Sequence, residues 1–327
     1  MGLKAIGRPA ALLLLLVCTA CGPALATSEP TSTPLPLSTA AVPPATPPAT
    51  TTLDAPASSV PEALVTALVN GEPVYLADYE RKLGQYEASL PAQGIDPSSL
   101  EGQEKLAWAR TYVLNVMIEQ VLTEQAATAV GAVVSDEEVD AYMQMMIAEN
   151  GGEEAFEAKL AEWGETYEDA WQEVRAQLIG MAMTQRIIES VPAVAEHVHA
   201  RHILVDTPEE AERLYAQLQA GADFATLARE YSQDPNTRET GGDLGFFPRG
   251  ILTAPEVEEA AFALQPGQFS EVVASVLGYH IVQVVERDPD RTVGPESLRL
   301  LQERVLGEWI EGLWAQAVVQ RFVETTP

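Results

Sequence analysis

The chain has 327 residues and a formal net charge of −29, with 48 acidic against 19 basic side chains. At roughly 150 residues per domain this length predicts about two domains. A hydrophobic share of 46% is enough to bury a core. Nucleic acid is excluded as a partner, because a phosphate backbone needs a Lys/Arg footprint that this composition lacks. The two cysteines, Cys18 and Cys21, both sit near the start, so no disulfide framework can hold the body together.

Lys4 and Arg8 precede the apolar run Ala10–Val17, which is too short to span a bilayer and fits the apolar region of an export signal. Thr19 and Ala20 then lead into Cys21 and Gly22, so that 1–20 resembles a bacterial lipoprotein signal with Cys21 as the lipidated residue. Cys18 departs from the usual Leu of that pattern, and cleavage after Ala24-Leu25-Ala26 is the alternative. Either route predicts a protein that works outside the cytoplasm, attached to a membrane through its N-terminal lipid or released. Residues 21–61 are rich in Pro, Thr, Ser and Ala, a composition that cannot bury enough apolar surface to order itself. At about 3 Å per residue such a tract could reach on the order of 100 Å, as a tether.

From residue 62 to 195 the pattern is mainly helical. A short apolar run, Leu64–Val69, meets the turn dipeptide Asn70-Gly71 and then Pro73-Val74-Tyr75. Helical spacing begins at Asp78, and Leu106, Ala109, Val113, Met117, Val121 and Leu122 form one buried stripe up to Gly131. Ser135, three residues before Glu138, predicts a capping box opening a helix with Val139, Tyr142, Met143, Met146 and Ile147. Core filling explains Met143, Met145 and Met146 better than a flexible binding surface. Gly151-Gly152 break the chain, and a long helix carrying Trp171, Val174, Leu178, Met181 and Ile188 ends near Pro192.

Residues 196–288 read differently. His199–Val205 is β-rich, 208–220 and 223–231 are helical, Gly/Pro punctuation follows, and Tyr279–Val285 closes as a strand. Such a mixture predicts a small antiparallel sheet with helices, an α+β unit. In 289–327 a helix returns after Pro295, with Leu298, Leu301, Val305, Trp309 and Leu313 on one side. A striped helix must pack on something. Packing back on the helical body makes 196–288 an insertion, although packing on the module would give the same periodicity.

The four histidines are His197, His199, His202 and His280. His197 and His199 would share a strand face as a possible zinc pair, but no third ligand is readable, so no metal is expected. Neither G-x-S-x-G nor G-x-x-x-x-G-K-[ST] occurs, which leaves no serine-hydrolase or phosphate-loop signature. What does occur is an ordered set of motifs. It runs Ala200-Arg201-His202-Ile203-Leu204-Val205, Gly221-Ala222-Asp223-Phe224-Ala225, Tyr231-Ser232-Gln233-Asp234-Pro235, Gly241-Gly242-Asp243-Leu244-Gly245-Phe246-Phe247, Ala260-Ala261-Phe262-Ala263-Leu264 and Gly278-Tyr279-His280-Ile281.

In this order and spacing the set resembles the parvulin family of peptidyl-prolyl cis/trans isomerases. The layout around it, including the Val69-Asn70-Gly71-Glu72 start, is similar to the extracytoplasmic PrsA/SurA-type foldases. The fold so implied is α+β, a parvulin-like module inserted in a mainly α-helical SurA/PrsA-like chaperone domain. The resemblance implies isomerisation of X–Pro bonds in unfolded or nascent secreted polypeptides, without a cofactor. By the same resemblance His202, His280, Asp234 and Ser275 match the catalytic positions, the histidines setting a hydrogen-bond network rather than exchanging protons with substrate. Leu244, Phe247, Leu252 and Val257 match the walls of the prolyl pocket, with Phe262 close behind. Val257 stands where the family often has an aromatic residue, which implies a shallower pocket, and Leu277 also departs from the pattern. Arg249 alone does not establish recognition of phosphate. The alternatives are a peptide-binding chaperone with an inactive module and a structural surface lipoprotein.

Overall fold

The computed structural model describes residues 64–323. The export signal 1–20, Cys21 and the tract 21–61 lie outside the described residues.

The helical body begins with a hairpin. Strands β1 (Val65–Val69) and β2 (Glu72–Tyr75) are joined through Asn70 and Gly71, both at positive φ (54° and 89°), the backbone that a two-residue turn of this hand demands. Helix α1 (Leu76–Ser89) leads through a short turn to α2 (Leu100–Ala129), which at 1.5 Å per residue is about 45 Å long. Ser99 caps α2 by accepting from the Gly102 amide. The expected capping box is present: Ser135 and Glu138 satisfy each other's backbone amides at the start of α3 (Asp136–Glu149). Met143 is fully buried and Met146 packs at the core margin, while Met145 is exposed.

The single long helix expected after Gly152 is instead two, α4 (Glu153–Trp163) and α5 (Tyr167–Glu189). Gly164 closes α4 at φ 70°, and a second capping box, Thr166 with Asp169, opens α5. The new start changes the buried face. Val174 is buried as expected, but Met181 is exposed, and Ile179 and Met183 fill the core in its place.

The module is a four-stranded antiparallel sheet in the order β4-β3-β6-β5, formed by β3 (Val194–Val205), β4 (Asp243–Pro248), β5 (Val273–Ser275) and β6 (Gly278–Thr292). β3 and β6 pair from Val205–Tyr279 to Val194–Thr292, with bulges at Ala195/His197 and His199/Ala200. This ribbon runs past both 196 and 288 towards the helical body. One sheet face packs on α6 (Pro208–Gln219) and α7 (Phe224–Tyr231) through Ile203, Val205 and Ile281. The other packs on α8 (Pro255–Ala263) through Val198, Ala200, Val282 and Val284. A sheet buried on both faces makes a stiff floor for whatever it carries.

Helix α9 (Pro295–Gln316) returns to the body, packing against α5 and α2. Trp309 joins the α3–α5 core, and Leu313 and Trp314 join the core of β1, α1 and α2. A strand unmarked in the sequence pattern follows: β7 (Val319–Arg321) pairs antiparallel with β1, giving the sheet order β2-β1-β7. The body is therefore closed by residues from both ends of the described chain.

Candidate active site

The site is built on the face of the β3–β6 ribbon that meets α8. Side chains alternate along a strand, so His202 shares a face with Ala200, and His280 shares one with Val282. Register places His202 opposite Val282 and His280 opposite Leu204, which makes the two histidines diagonal neighbours. Their ring centroids are 5.5 Å apart at an interplanar angle of 21°, and their Nδ1 atoms are 3.3 Å apart. Both are buried, His280 to 1% exposure.

The approach of the next segment depends on Gly242. Its φ is +80°, its carbonyl accepts from the His202 amide at 2.9 Å, and a Cβ there would collide with the His202 carbonyl. Residues 232–234 are pinned alongside β3 in turn. The Gln233 amide donates to the Leu204 carbonyl at 2.7 Å, and the Ser232 hydroxyl accepts from the amides of Leu204 and Asp234.

These constraints deliver Asp234 to His202, whose Nε2 lies 2.8 Å from Oδ2. Thr237, one turn further, donates its hydroxyl to the same oxygen and stands 3.0 Å from His202 Nε2. At the far end Ser275, the last residue of β5, places Oγ 2.8 Å from His280 Nε2 while accepting from the Leu277 amide. Asp234, His202, His280 and Ser275 thus form one continuous hydrogen-bonded chain.

The electrostatics give the chain a direction. Burial pushes the Asp234 carboxyl upward, but hydrogen bonds from Thr237, His202 and the Asn236 amide outweigh it and hold the group below the usual carboxylate range. At neutral pH it is ionised and only accepts, so His202 Nε2 carries a proton. Burial, and then the neighbouring His202, lower His280 to about 4, against the opposing pull of Glu256 and Asp234, so His280 is neutral. In the uncharged pair Ser275 donates to His280 Nε2, His280 Nδ1–H to His202 Nδ1, and His202 Nε2–H to Asp234.

The apolar positions divide. Phe247, Val257 and Phe262 are 3%, 2% and 5% exposed. Phe247 meets Phe262 edge to face, with centroids 6.1 Å apart, and the three residues belong to the core under α8. Leu244 and Leu252 are partly exposed at the margin of that core. Leu252 is held by Glu258, a buried carboxylate that accepts from the amides of Gly250, Ile251 and Leu252.

Sequence reasoning missed Thr237, Ser232 and Glu258. For Thr237 a signal existed, since Asp234-x-x-Thr237 is the spacing at which a hydroxyl reaches back to a carboxylate across one turn. Ser232 accepts from the distant Leu204 amide as well as from Asp234 beside it, and Glu258 accepts from a turn six to eight residues earlier. His197 and His199 go to separate protein partners: His197 Nδ1 bonds the Ala195 carbonyl at 2.9 Å, and His199 Nε2 bonds Asp243 at 2.7 Å. Among the described residues no group of three or more metal-ligating side chains converges.

Comparison with known proteins agrees with this architecture. Residues 202–286 match the PPIC-type PPIASE domain, and residues 57–160 match the SurA-like N-terminal domain. The foldase protein PrsA of Caldanaerobacter subterraneus subsp. tengcongensis is 30% identical over 285 residues, covering 80% of this chain and 88% of the relative. That of Halalkalibacterium halodurans is 34% identical over 227 residues, covering 63% and 67%. A crystal structure of peptidylprolyl isomerase (PrsA) from Bacillus anthracis is 29% identical, covering 62% of this chain and 94% of that one, with a TM-score of 0.39. With a rotamase domain set into a SurA-like helical body and a relative matched over most of its length, the chain belongs to the PrsA foldases and is a peptidyl-prolyl isomerase of the parvulin type.

Proposed function

We propose that His202, Asp234, His280 and Ser275 form the catalytic chain of this isomerase, and that an X–Pro bond binds with the prolyl ring against Leu244 and Leu252. Rotation about that bond faces a barrier of ~20 kcal/mol and takes tens of seconds unaided. No covalent bond is made or broken, so the enzyme needs only to favour the twisted amide over both planar forms. Each ~1.4 kcal/mol of such preference accelerates the rotation tenfold.

In this reading the apolar margin holds the ring, while the ionised Asp234 faces the amide whose resonance is lost on twisting. The histidine pair supplies no proton to substrate. It holds Asp234 and Ser275 at fixed separation and polarity in a site already dry, where fixed dipoles act with little screening. Phe247, Val257 and Phe262 form the floor beneath the ring. The observation that supports this best is the unbroken series of contacts from Asp234 to Ser275. Turnover of a proline tetrapeptide by the full chain tests it: Asp234→Ala and His202→Ala should each lower the rate about tenfold, and wild-type rates in both would overturn the assignment.

Export and anchoring complete the proposal. Cys21 carries the lipid, residues 21–61 hold the body away from the membrane, and unfolded exported polypeptides are the clients. No helix among the described residues is long and apolar enough to cross a membrane. Cys21→Ser should move the protein from the membrane fraction to the soluble one; unchanged fractionation would remove the lipid anchor. The helical segments 62–195 and 289–327 form the chaperone body. Suppression of aggregation that survives Asp234→Ala would separate holding from isomerisation.

A further inference from the structure

A second concave surface lies away from the histidine chain, where the module meets α9. It is a cleft of about 270 Å³ with apolar walls that include Val191, Pro248, Phe262, Leu301 and Val305. Two arginines line it, Arg249 from the turn after β4 and Arg304 from α9, together with one carboxylate, Glu196, whose charge is matched by Arg287. Both arginines are exposed, in a chain whose net charge is −29.

Neither guanidinium is held by a buried carboxylate. Arg249 lies 4.1 Å above the Phe262 ring and has no hydrogen bond or ion pair among the described residues. Arg304 packs its guanidinium against Gly250, where a Cβ would displace it, and pairs through Nε with Glu308, one turn on along the same helix, at 3.5 Å. The third guanidinium nearby, Arg287, is spent. It pairs with Glu196 at 2.6 Å and donates to the carbonyls of Phe262 and Leu264. Two oriented forks with free donors beside an apolar hollow suit a planar carboxylate carried on an apolar chain. A free, fully hydrated anion would gain nothing from the hollow.

We propose that this cleft binds an internal Asp or Glu side chain of an extended client segment, with a neighbouring apolar side chain seated between Phe262 and Leu301. An internal side chain is the occupant argued for, because both arginines are exposed and within reach of a chain passing over the surface. The proposal rests on the foldase reading and adds a class of client to it: apolar segments punctuated by acidic residues. Phe262 is shared by the cleft and the core beneath Leu244 and Leu252, so a client held here lies close to the proposed prolyl site.

Binding of fluorescent peptides to the full chain tests it. The probe Ac-Ala-Leu-Glu-Phe-Ala-amide should bind at least tenfold more tightly than its Gln counterpart, and added salt should erode the difference. In Arg304→Gln the preference should fall at least fivefold, while turnover of an uncharged proline tetrapeptide stays at the wild-type rate. That unchanged turnover separates this site from the isomerase site. Equal affinity for the Glu and Gln peptides in the wild-type protein would overturn the proposal. So would an Arg304→Gln variant that keeps full discrimination, or a stronger response to a free C-terminal carboxylate on the Gln peptide than to the Glu side chain.

Discussion

In the helical body the polar groups of the two capping boxes, Ser135 with Glu138 and Thr166 with Asp169, act three residues away, at the surface. In the module the polar groups that matter are buried and act at long range: His202 meets Asp234 32 residues on and His280 78 residues on. The contrast extends to composition. All four histidines lie within 194–292, and all five tryptophans lie outside it. The body uses local polar signals to start helices and then buries apolar faces. The module uses its sheet as a rigid frame on which a polar chain can be held dry. A buried polar group is tolerated only when partnered, so the module's site must be completed as a unit, whereas the body can lose one cap and keep its fold.

The contrast can be broken most severely at the closure of the body. Ending the chain before Pro295 removes β7 together with Leu301, Trp309, Leu313 and Trp314. The body should lose on the order of 5 kcal/mol, the scale of truncating one or two large buried side chains. Amide exchange should then rise across α2 and α5 while β3 and β6 stay protected. Equal loss of protection in both regions would show a single cooperative unit.

Acid should act the other way, on the module first. His280 is near 4 when folded against 6.5 ordinarily, so the unfolded chain takes up its proton first as pH falls. Stability present above pH 6.5 is lost between 6.5 and 4, by on the order of 2–3 kcal/mol. Asp234, held below its ordinary range despite its burial, loses stability in the same direction at still lower pH. Urea midpoints followed through module amides should fall over that range, and tryptophan fluorescence should report a smaller change in the body. A module midpoint flat from pH 7 to 4 would contradict a neutral, buried His280.

Smaller effects sharpen the comparison at single residues. Thr237→Val leaves Asp234 and His202 each short of a partner and should cost about 1–3 kcal/mol, with a several-fold loss of tetrapeptide turnover. Thr237→Ser should restore most of both, an outcome that a merely apolar role for the Thr methyl would not produce. Ser135→Ala should cost about 1 kcal/mol and leave turnover unchanged. Thermal unfolding and the same assay read both.

Much of the body was legible because its signals are short in range. The hairpin at Asn70-Gly71, the stripe from Leu106 to Leu122 and the Ser135 box are each contained within a few turns of chain. Gly164 and Thr166 are local signals too, and the helix start they set turns Met181 to solvent and Ile179 and Met183 to the core, against the periodicity of a single helix. The motif resemblance implies His202, Asp234, His280 and Ser275 and a hydrogen-bond network set by the histidines, but not which atoms meet in it.

By itself the sequence determined the element types, the α+β character of 196–288 and the identities of the polar residues, because backbone propensity and side-chain periodicity are local properties. Only the tertiary structure decided that β7 closes the sheet on β1, and that Glu258 anchors the Leu252 turn. It also decided that Phe247, Val257 and Phe262 lie beneath the surface and that Arg249 and Arg304 share one cleft. Those outcomes depend on which surfaces meet across long stretches of chain, where strand register and packing volume, rather than residue type, choose among the alternatives.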